Sequence, residues 1–276
     1  MSRQQITMST VHSLPHAIKL RGIRGYYWLY WPTNPTLFHP VIEEIVDQCT
    51  VMTFDTVNLP RDDFQVALRP IATCQQPRRQ SDLDAVKNAV PSRQREYIAG
   101  RVLARELLGR LGVDAQTIAS GPKREPLWPT GIVGSISHNE LFCAVVVAQN
   151  SVVTSVGIDI ETTGRIDRQL WGHLFTDEET EHLLQLESAA QSRQATAFFS
   201  IKEAFYKYQF PITHAWIGFR DVTVHQDGAS FYRLSAQIND ATVAHNALAV
   251  VEPAGTDQII ALVVDQSVLS PASRRD

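Results

Sequence analysis

The chain is poor in cysteine and has no long apolar segment. Its three cysteines, Cys49, Cys74 and Cys143, lack metal-ligand spacing, so we expect reduced, structural thiols as in a cytoplasmic enzyme. The first 20 residues contain no apolar run of signal-peptide length, and the apolar residues 141–148 are far too few to cross a bilayer. These absences predict a cytoplasmic protein that does not bind a membrane.

Positive charge is also scarce. The 276 residues include 25 lysines and arginines against 29 aspartates and glutamates, a formal net charge of −4. This balance argues against a general nucleic-acid-binding protein but leaves room for a local basic pocket. With 44% hydrophobic residues, no low-complexity tract and no solenoid-type repeat, the chain is typical of one large globular domain or two small ones.

An acidic pair lies in residues 156–161, which read Val-Gly-Ile-Asp-Ile-Glu. Because side chains alternate along a strand, Asp159 and Glu161 would share one face while the isoleucines point into a core. Gly157 lies on the acidic face and leaves room for a ligand or another backbone to approach. Taken alone, the segment also fits an ordinary edge strand that ends at a wet surface.

A second acidic cluster lies in residues 199–207, which read Phe-Ser-Ile-Lys-Glu-Ala-Phe-Tyr-Lys. On a helix, Glu203 and Lys207 stand one turn apart, and taken alone they fit a surface ion pair worth roughly 0.3–0.5 kcal/mol. Three converging carboxylates, however, repel one another unless a hard cation such as Mg²⁺ lies between them. A lysine beside them suggests phosphate oxygens as the other ligands. Together the clusters predict metal-assisted chemistry on a phosphate ester or anhydride.

Read with segments upstream, the two clusters resemble the 4′-phosphopantetheinyl transferase superfamily. The resemblance is to its larger, pseudo-dimeric type, the branch that activates surfactin and enterobactin synthetases, and it covers about residues 50–265. The similar segments, in the family's order, are residues 93–101, 123–129, 134–138, 157–161, 200–207, 210–213 and 216–221. The chain departs from the family at Phe199, where many members carry tryptophan, and before about residue 48, where no counterpart is recognised.

This resemblance implies an α+β fold of two similar α/β halves related by a pseudo-two-fold axis. Residues 1–48 would be an N-terminal extension, and residues 49–150 the N-terminal half with the helix and loop that bind coenzyme A. Residues 151–266 would form the C-terminal half with the metal site and the carrier-docking surface, and residues 267–276 a tail. We expect a monomer.

The resemblance also implies a reaction. Coenzyme A would donate its 4′-phosphopantetheine group to a serine of an apo carrier protein in the presence of Mg²⁺, with Mn²⁺ as the alternative metal. The carrier would be an acyl, peptidyl or aryl carrier domain of nonribosomal peptide, polyketide or siderophore synthesis, docked near residues 176–186 and 210–216. A Mg²⁺-dependent phosphohydrolase and a non-catalytic carrier-binding protein are the rival interpretations.

Site residues carry over from the family position by position. The implied metal ligands are Asp159, Glu161 and Glu203, and the implied catalytic residues are Glu203, Lys207 and Asp159. Glu203 would also deprotonate the serine, and Lys207 would stabilise or protonate the leaving group. The implied contacts to coenzyme A are Arg93, Arg101, Lys123, Ser137, His138, Lys202 and Lys207. Without the resemblance, Arg93 and Arg101 fit surface residues whose alkyl stems cover apolar surface.

Helix signals occur in both halves. Ser92 is a plausible N-cap for a helix that runs to about residue 111, with Gly112 just past its end. Thr176 and Glu179 have the spacing of a capping box for a helix ending near residue 187. A further helix is predicted over residues 194–209. Its apolar stripe would be Phe198, Ile201, Phe205 and Tyr208.

Strand signals surround these helices. The first core strand is predicted over residues 51–57, and residues 121–134, rich in proline and glycine, are predicted to be a loop. Residues 141–148 and 152–161 are predicted to pair as a hairpin. The remaining strand-like runs, which predict an antiparallel meander, are residues 222–224, 230–238, 247–251 and 259–264. The aromatic residues 26–31 predict a strand or turn packed on the main body, with a partner-binding patch as the alternative.

Overall fold

The structure, a computed structural model, describes residues 17–22, 25–30, 62–115, 117–236, 241–254 and 257–268. The strands are β1 (Ala17–Gly22), β2 (Gly25–Tyr30), β3 (Phe64–Pro70), β4 (Ile132–His138), β5 (Phe142–Gln149), β6 (Val156–Thr162), β7 (Val222–Gln226), β8 (Phe231–Ala236), β9 (Ala247–Ala254) and β10 (Gln258–Asp265). The α-helices are α1 (Gln80–Val86), α2 (Pro91–Arg110), α3 (Trp171–Leu174), α4 (Asp177–Leu184), α5 (Ser188–Thr213) and α6 (Ala241–Asn246).

The strands form a two-stranded ladder, β1–β2, and two larger antiparallel sheets. The first sheet has the order β3-β5-β4, and the second has the order β6-β10-β9-β8-β7. In the first sheet β3 lies beside β5, and β4 comes next. In the second sheet β6 lies beside β10, and β9 comes next. Each sheet therefore has the first strand in sequence at one edge, followed by the last strand and then the next-to-last. A long helix, α2 or α5, comes after the first strand of each sheet. The two halves therefore share one order of elements, and the predicted α+β class with two similar halves is confirmed at this level.

The two larger sheets pack face to face, and a helix covers the outer face of each. Val146 of β5 belongs to a core cluster with Ile158 of β6 and Leu262 of β10, which lies between the sheets. The neighbouring Val145 instead belongs to a cluster with Leu103 of α2. This alternation follows from the period-two geometry of strands. The other face of β6, which carries Asp159 and Glu161, is turned toward α5.

Helix α5 approaches β6 very closely at Gly157. A Cβ atom added there would lie 1.9 Å from Ala204 O and 2.9 Å from Tyr208 N, both in the backbone of α5. Only glycine lets the helix backbone come this near, as the sequence pattern predicts. Ser155 Oγ adds a hydrogen bond to Tyr208 O (2.7 Å). The side chains of α5 that face β6 are thereby held within reach of the acidic side chains of that strand.

Helix α2 begins two residues before the predicted start. Val90, not Ser92, is its N-cap, and Pro91 is its first residue. The fixed φ of proline and its missing N–H suit the first helical position, where no partner for that N–H exists. At the other end Gly112 has φ 74°, the left-handed conformation expected of a residue just past a helix. The predicted end of the helix is confirmed.

The helices of the second half match the prediction in kind and differ in length. The capping box of Thr176 and Glu179 is present at the start of α4. Helix α5 begins six residues earlier and ends four residues later than residues 194–209. Its first turns are polar and show no apolar periodicity, and Pro211 near its end is typical of a helix that has already stopped. The predicted apolar stripe is buried, and its residues are Phe198, Ile201, Phe205 and Tyr208.

The predicted hairpin of residues 141–148 and 152–161 is wrong. Strand β5 pairs with β3 and β4, whereas β6 pairs with β10 in the second sheet. Both edges of β5 are occupied, so no edge remains for β6. The Asn150 N–H donates to Gly131 O (2.9 Å), after which the chain crosses to the second sheet and β6 packs across the face of β5.

The remaining strand predictions have mixed outcomes. The meander is confirmed as β7 to β10, but the predicted loop at residues 121–134 ends earlier, because β4 begins at Ile132. The predicted strand at residues 51–57 lies outside the described residues. Residues 26–30 belong to strand β2, and their predicted packing on the main body lies outside what the structure describes. Within the described ranges, no helix is both long and apolar enough to cross a membrane.

Candidate active site

Asp159 is the centre of a buried polar cluster on the face of β6 that meets α5. Its Oδ1 accepts hydrogen bonds from Ser137 Oγ (2.7 Å) and Lys207 Nζ (2.7 Å). Its Oδ2 accepts one from Ser200 Oγ (2.9 Å). Because the donors come from β4 and α5, this carboxylate joins the first sheet, the second sheet and the long second-half helix at one point.

Lys207 reaches the cluster from α5, one helical turn after Glu203. Besides the contact with Asp159, its Nζ donates to Ser137 Oγ (3.0 Å) and to Ile158 O (3.1 Å). A quarter of the lysine side chain stays exposed, against 4% of the Asp159 side chain. The ammonium group is therefore fixed by the protein on one side and open on the other, where it can contact an anionic ligand.

Glu161 and Glu203 are partly buried carboxylates in the neighbourhood of Asp159. Burial is the main cause that raises the pKa of Glu161 to about 7, repulsion from Asp159 and Glu203 adds to the rise, and Lys207 opposes it. Burial also raises the pKa of Glu203, with Lys207 opposing and Asp159 adding to the rise. The three predicted metal ligands thus lie close enough to feel one another's charge.

The chemistry of these donors suits a hard cation, since all are carboxylate oxygens and their mutual repulsion would be relieved by positive charge. In the described part of the chain, however, no three His, Cys, Asp or Glu side chains stand close enough together to hold a metal ion. Lys207 occupies one oxygen of Asp159 instead. The predicted ligands are therefore neighbours that do not yet enclose an ion.

A basic cavity of about 410 Å³ lies beside this cluster, between α2, β4 and the loop before β4. Its positively ionisable side chains are Arg93, Arg101, Arg124 and His138, and its one carboxylate is that of Glu96. The other lining residues are Ala85, Val86, Ala89, Tyr97, Ser120, Pro126 and Ile136. An excess of cationic groups around a cavity of this size suits an organic ligand that carries phosphate.

Arg101 is a buried wall of the cavity and not a surface residue. Its Nε donates to Ile118 O (2.9 Å) and its Nη2 to Ser120 Oγ (3.0 Å). Its guanidinium carbon lies 4.6 Å from the centre of the Tyr97 ring. Burial lowers the pKa of Arg101, and Tyr97 opposes that shift. These contacts exclude the surface alternative for Arg101 and orient the guanidinium group at the cavity wall.

His138 and Arg93 form the part of the cavity that lies on the end of β4. The Nη1 of Arg93 approaches His138 Nε2, and His138 Nδ1 lies 3.5 Å from Glu96 Oε2. Burial lowers the pKa of His138, Glu96 opposes the shift, and Arg93 and Lys207 add to it. A neutral ring that accepts from Arg93 through Nε2 and carries its proton on Nδ1, toward Glu96, satisfies both contacts.

Strand β4 connects the cavity to the carboxylate cluster. Ser137 and His138 are consecutive residues, and the first belongs to the cluster while the second lines the cavity. The electrostatic effect of Lys207 and Asp159 on His138 shows that the two regions are close. A ligand held in the cavity would therefore have Lys207 near the end of the cavity that lies at His138.

Two family models match this chain. A model described as 4′-phosphopantetheinyl transferase N-terminal domain matches residues 81–148, and one described as 4′-phosphopantetheinyl transferase superfamily matches residues 155–263. The chain belongs to the 4′-phosphopantetheinyl transferase superfamily. The matched segments contain both the cavity and the carboxylate cluster. The domain limits at residues 48, 150 and 266 stay a prediction.

Curated relatives resemble part of this superfamily member. The 4′-phosphopantetheinyl transferase PptT of Mycobacterium tuberculosis is 34% identical over 50% of this chain and 61% of its own length. Npt of Nocardia iowensis is 32% identical over 50% of this chain and 62% of its own length. Enterobactin synthase component D of Salmonella typhi is 34% identical, with 45% and 51% covered. The chain thus spans about half to three fifths of the curated relatives it matches.

A solved structure with a similar region is the holo-[acyl-carrier-protein] synthase of Thermotoga maritima. The TM-score is 0.34 at 19% identity, over 41% of this chain and 63% of that chain. A similarity of this size supports no comparison of individual residues.

Lys202 of this superfamily member does not lie where the resemblance implies. Its side chain is buried, and its Nζ donates to Glu179 Oε2 (2.6 Å), Leu174 O (2.9 Å) and Phe219 O (2.8 Å). The expected contact with phosphate is therefore corrected: the ammonium group is occupied by three partners on another face of α5. A signal for this was available, because Lys202 stands four residues after Phe198 and three before Phe205, on the apolar stripe.

Lys123 is also displaced from its expected place. Its side chain is exposed, its backbone N–H donates to Glu125 Oε2 (2.8 Å), and the adjacent Arg124 lines the cavity instead. Sequence reasoning also missed Tyr97, although Arg93, Tyr97 and Arg101 follow one another at four-residue helical spacing. Nothing in the sequence pattern distinguishes Arg124 from Lys123, because the difference comes from the turn that holds them.

Proposed function

We propose that this protein transfers the 4′-phosphopantetheine group of coenzyme A to a serine hydroxyl of an apo carrier protein. The observation that carries the proposal is the closeness of the basic cavity to the carboxylate and lysine cluster, with Ser137 of β4 in the cluster and the adjacent His138 in the cavity wall. The cavity suits the adenosine part and phosphates of coenzyme A, and Lys207 stands at the end where the diphosphate would react.

The chemical step breaks the bond between the phosphorus that carries pantetheine and the oxygen that bridges the diphosphate. The serine oxygen attacks the phosphorus that carries pantetheine, and adenosine 3′,5′-bisphosphate leaves. Lys207 stabilises the charge that develops on the leaving phosphate. Glu203, whose pKa is raised by burial, accepts the serine proton, since a carboxylate of higher pKa is the better base near neutral pH.

The proposal assigns Mg²⁺, or Mn²⁺ in its place, to Asp159, Glu161 and Glu203. When bound, the ion neutralises negative charge on the diphosphate oxygens. The three carboxylates are suited to it by their oxygen donors and by the repulsion among them that burial strengthens. Asp159 also accepts hydrogen bonds from Lys207 and Ser137 through one oxygen, which orients both side chains. These two donors would align the phosphate group together with the metal.

The partners follow from the same reaction. They are acyl, peptidyl or aryl carrier domains, in nonribosomal peptide, polyketide or siderophore synthesis, and the enterobactin synthase component among the relatives supports a siderophore route.

We infer a monomer that acts in the cytoplasm. Support comes from the placement of the cavity and the carboxylates in one chain and from the buried free thiols Cys74 and Cys143.

The test is intact-protein mass spectrometry of apo carrier proteins incubated with the protein, coenzyme A and Mg²⁺. A gain of about 340 Da on the carrier serine, abolished by EDTA, is the expected result. Release of adenosine 3′,5′-bisphosphate without a carrier would favour the phosphohydrolase instead. Coenzyme A binding with no gain on any of an acyl, a peptidyl and an aryl carrier would favour the non-catalytic carrier-binding protein. Absence of coenzyme A binding would overturn the proposal.

A further inference from the structure

The two faces of β4 serve different halves of the molecule. Ile136 and His138 line the basic cavity, whereas Ser135 and Ser137 contact β6 of the second half. This division follows from the alternation of side chains along a strand. Any shift of β4 along β6 would therefore move the cavity wall relative to the carboxylates.

The contacts of the two serines do not by themselves prevent such a shift. Ser135 Oγ accepts the N–H of Ile158 (3.1 Å), and Ser137 Oγ donates to Asp159 Oδ1 (2.7 Å). Because a hydroxyl group rotates to suit its partner, these bonds tolerate small displacements. The apolar core between the two sheets is non-directional and tolerates them as well.

Asn139 continues the same spacing just past the end of β4, in the turn to β5. Its Oδ1 accepts the N–H groups of Leu141 (3.0 Å) and Phe142 (2.9 Å). The turn thereby fixes the orientation of the amide, since only the oxygen can accept these two bonds. The amide nitrogen is left to donate to a partner outside the turn.

That partner is Gln258, the first residue of β10. Asn139 Nδ2 donates to Gln258 Oε1, which also accepts Thr162 Oγ1 (3.2 Å). Gln258 lies opposite Thr162 in the ladder of β6 and β10. The contact thus ties the residue after His138 to the residue after Glu161. Asn139 is 9% and Gln258 5% exposed, so loss of either amide leaves the other buried without this partner.

We propose that Asn139 and Gln258 are positioning residues for the transfer reaction. Their bond fixes the β4–β5 turn on the end of β6 and so keeps the basic cavity aligned with the carboxylate and lysine cluster. Neither residue touches the reacting atoms. The catalytic consequence of the bond rests on the proposed function, whereas the fixed place of the turn does not.

The test is a double-mutant cycle of Gln258→Met, Asn139→Ser and the double variant. Methionine has a similar length and lacks the amide oxygen. Serine keeps an oxygen that can accept within the turn and is too short to reach Gln258. For each protein the measurements are kcat for carrier modification, the dissociation constant for coenzyme A, the thermal midpoint and hydrogen exchange of the Ile158 N–H.

Each single variant is expected to lower kcat by about ten- to a hundredfold, because a small misplacement of reacting groups is costly. The double variant should lose no more than the singles, since both remove the same bond. The dissociation constant for coenzyme A should stay within about threefold, because first-half elements build the cavity. The Ile158 N–H should exchange at least about tenfold faster in both single variants.

The same turn offers a matched control. Glu140, next to Asn139, also reaches the second half, where it pairs with Arg165, but these side chains are 72% and 49% exposed. Glu140→Gln should therefore leave kcat and the exchange rate unchanged.

Additive losses in the double variant would overturn the proposal, as would an equal loss of kcat in Glu140→Gln. A lower thermal midpoint with unchanged kcat, or failure of both single variants to fold, would reduce the bond to a purely structural role and overturn it too. A wild-type protein that modifies no carrier would overturn the proposed function. Hydrogen exchange would still decide the place of the turn: faster exchange in the variants supports it, and unchanged exchange contradicts it.

Discussion

His138 is the residue of the cavity whose charge is most sensitive to pH. In the free protein burial lowers its pKa, and Arg93 and Lys207 add to that effect. A bound phosphate would oppose it and raise the pKa, because negative charge favours the protonated ring. Binding therefore takes up a proton in the window between the lowered pKa of the free protein and the higher pKa of the complex.

We predict that the affinity for coenzyme A rises as the pH falls from 8 to 6, by up to about tenfold per pH unit. The proton taken up by His138 is the cause, so His138→Gln should flatten the dependence and leave only that of the ligand's own phosphates. Calorimetry in two buffers of different ionisation enthalpy measures the proton directly. The same slope and the same proton uptake in both proteins would show that His138 does not face the phosphates.

At the residue scale, the sequence predicted the acidic face of β6 because strand alternation is local and independent of the rest of the fold. The hydrogen bond from Lys207 to Asp159 brings the two acidic clusters together. The placement of Lys202 was missed, since a one-residue step along a helix turns the side chain by about 100° and separates it from Glu203. The resemblance of residues 200–207 to the family's segment does not tell on which face of α5 each side chain lies.

At the element scale, the contact between α5 and β6 depends on Gly157. We predict that Gly157→Ala destabilises the protein by about 1–3 kcal/mol and lowers transfer activity, because a Cβ atom would collide with the backbone of α5. Gly109→Ala is the matched control, since it lies in α2 with open space around it and should be neutral or slightly stabilising. Urea unfolding measures both. Equal stability of the two variants would contradict the close contact.

The buried ion pair of Lys202 and Glu179 joins α5 to α4. Each side chain is 1% exposed, and Glu179 also accepts the N–H groups of Thr176 and Val224. We predict that Lys202→Met costs about 3–5 kcal/mol in the free energy of unfolding, because it leaves a buried carboxylate without its cation. The double variant with Glu179→Gln should recover part of the loss.

An exposed pair provides the comparison for that prediction. Asp177 and Arg220 form an ion pair in which the aspartate side chain is 90% exposed. Asp177→Asn should therefore cost less than about 1 kcal/mol in the same unfolding experiment. A loss of the same small size in Lys202→Met would mean that the buried pair does not hold α5 in place.

The three longest helices and the C-terminal meander could be predicted from the sequence, and the pairing of β5 and β6 could not. The capping box of α4, the glycine after α2 and the apolar stripe of α5 are all local signals. The hairpin of β5 with β6 failed because β5 is a central strand, and which strands occupy its edges depends on segments far away in the chain. Apolar residues on both faces of β5 indicate burial and leave the partner undetermined.

At the scale of the whole molecule, the binding cavity and the reactive cluster come from different halves. The cavity is built by α2, β4 and the loop before it, and the carboxylates and Lys207 by β6 and α5. Binding of coenzyme A and transfer of its phosphopantetheine group should therefore be separable. A change in the second-half cluster is expected to stop the chemistry while the cavity still takes the ligand.

The measurement that tests this most directly follows carrier modification and coenzyme A binding in Asp159→Asn. The account predicts a loss of transfer of at least about 100-fold, because the change removes the charge that orients Lys207, with a dissociation constant for coenzyme A within about threefold of the wild type. Glu140→Gln, which removes an exposed carboxylate paired with Arg165, should leave both unchanged. Normal transfer by Asp159→Asn in excess Mg²⁺ would contradict the account.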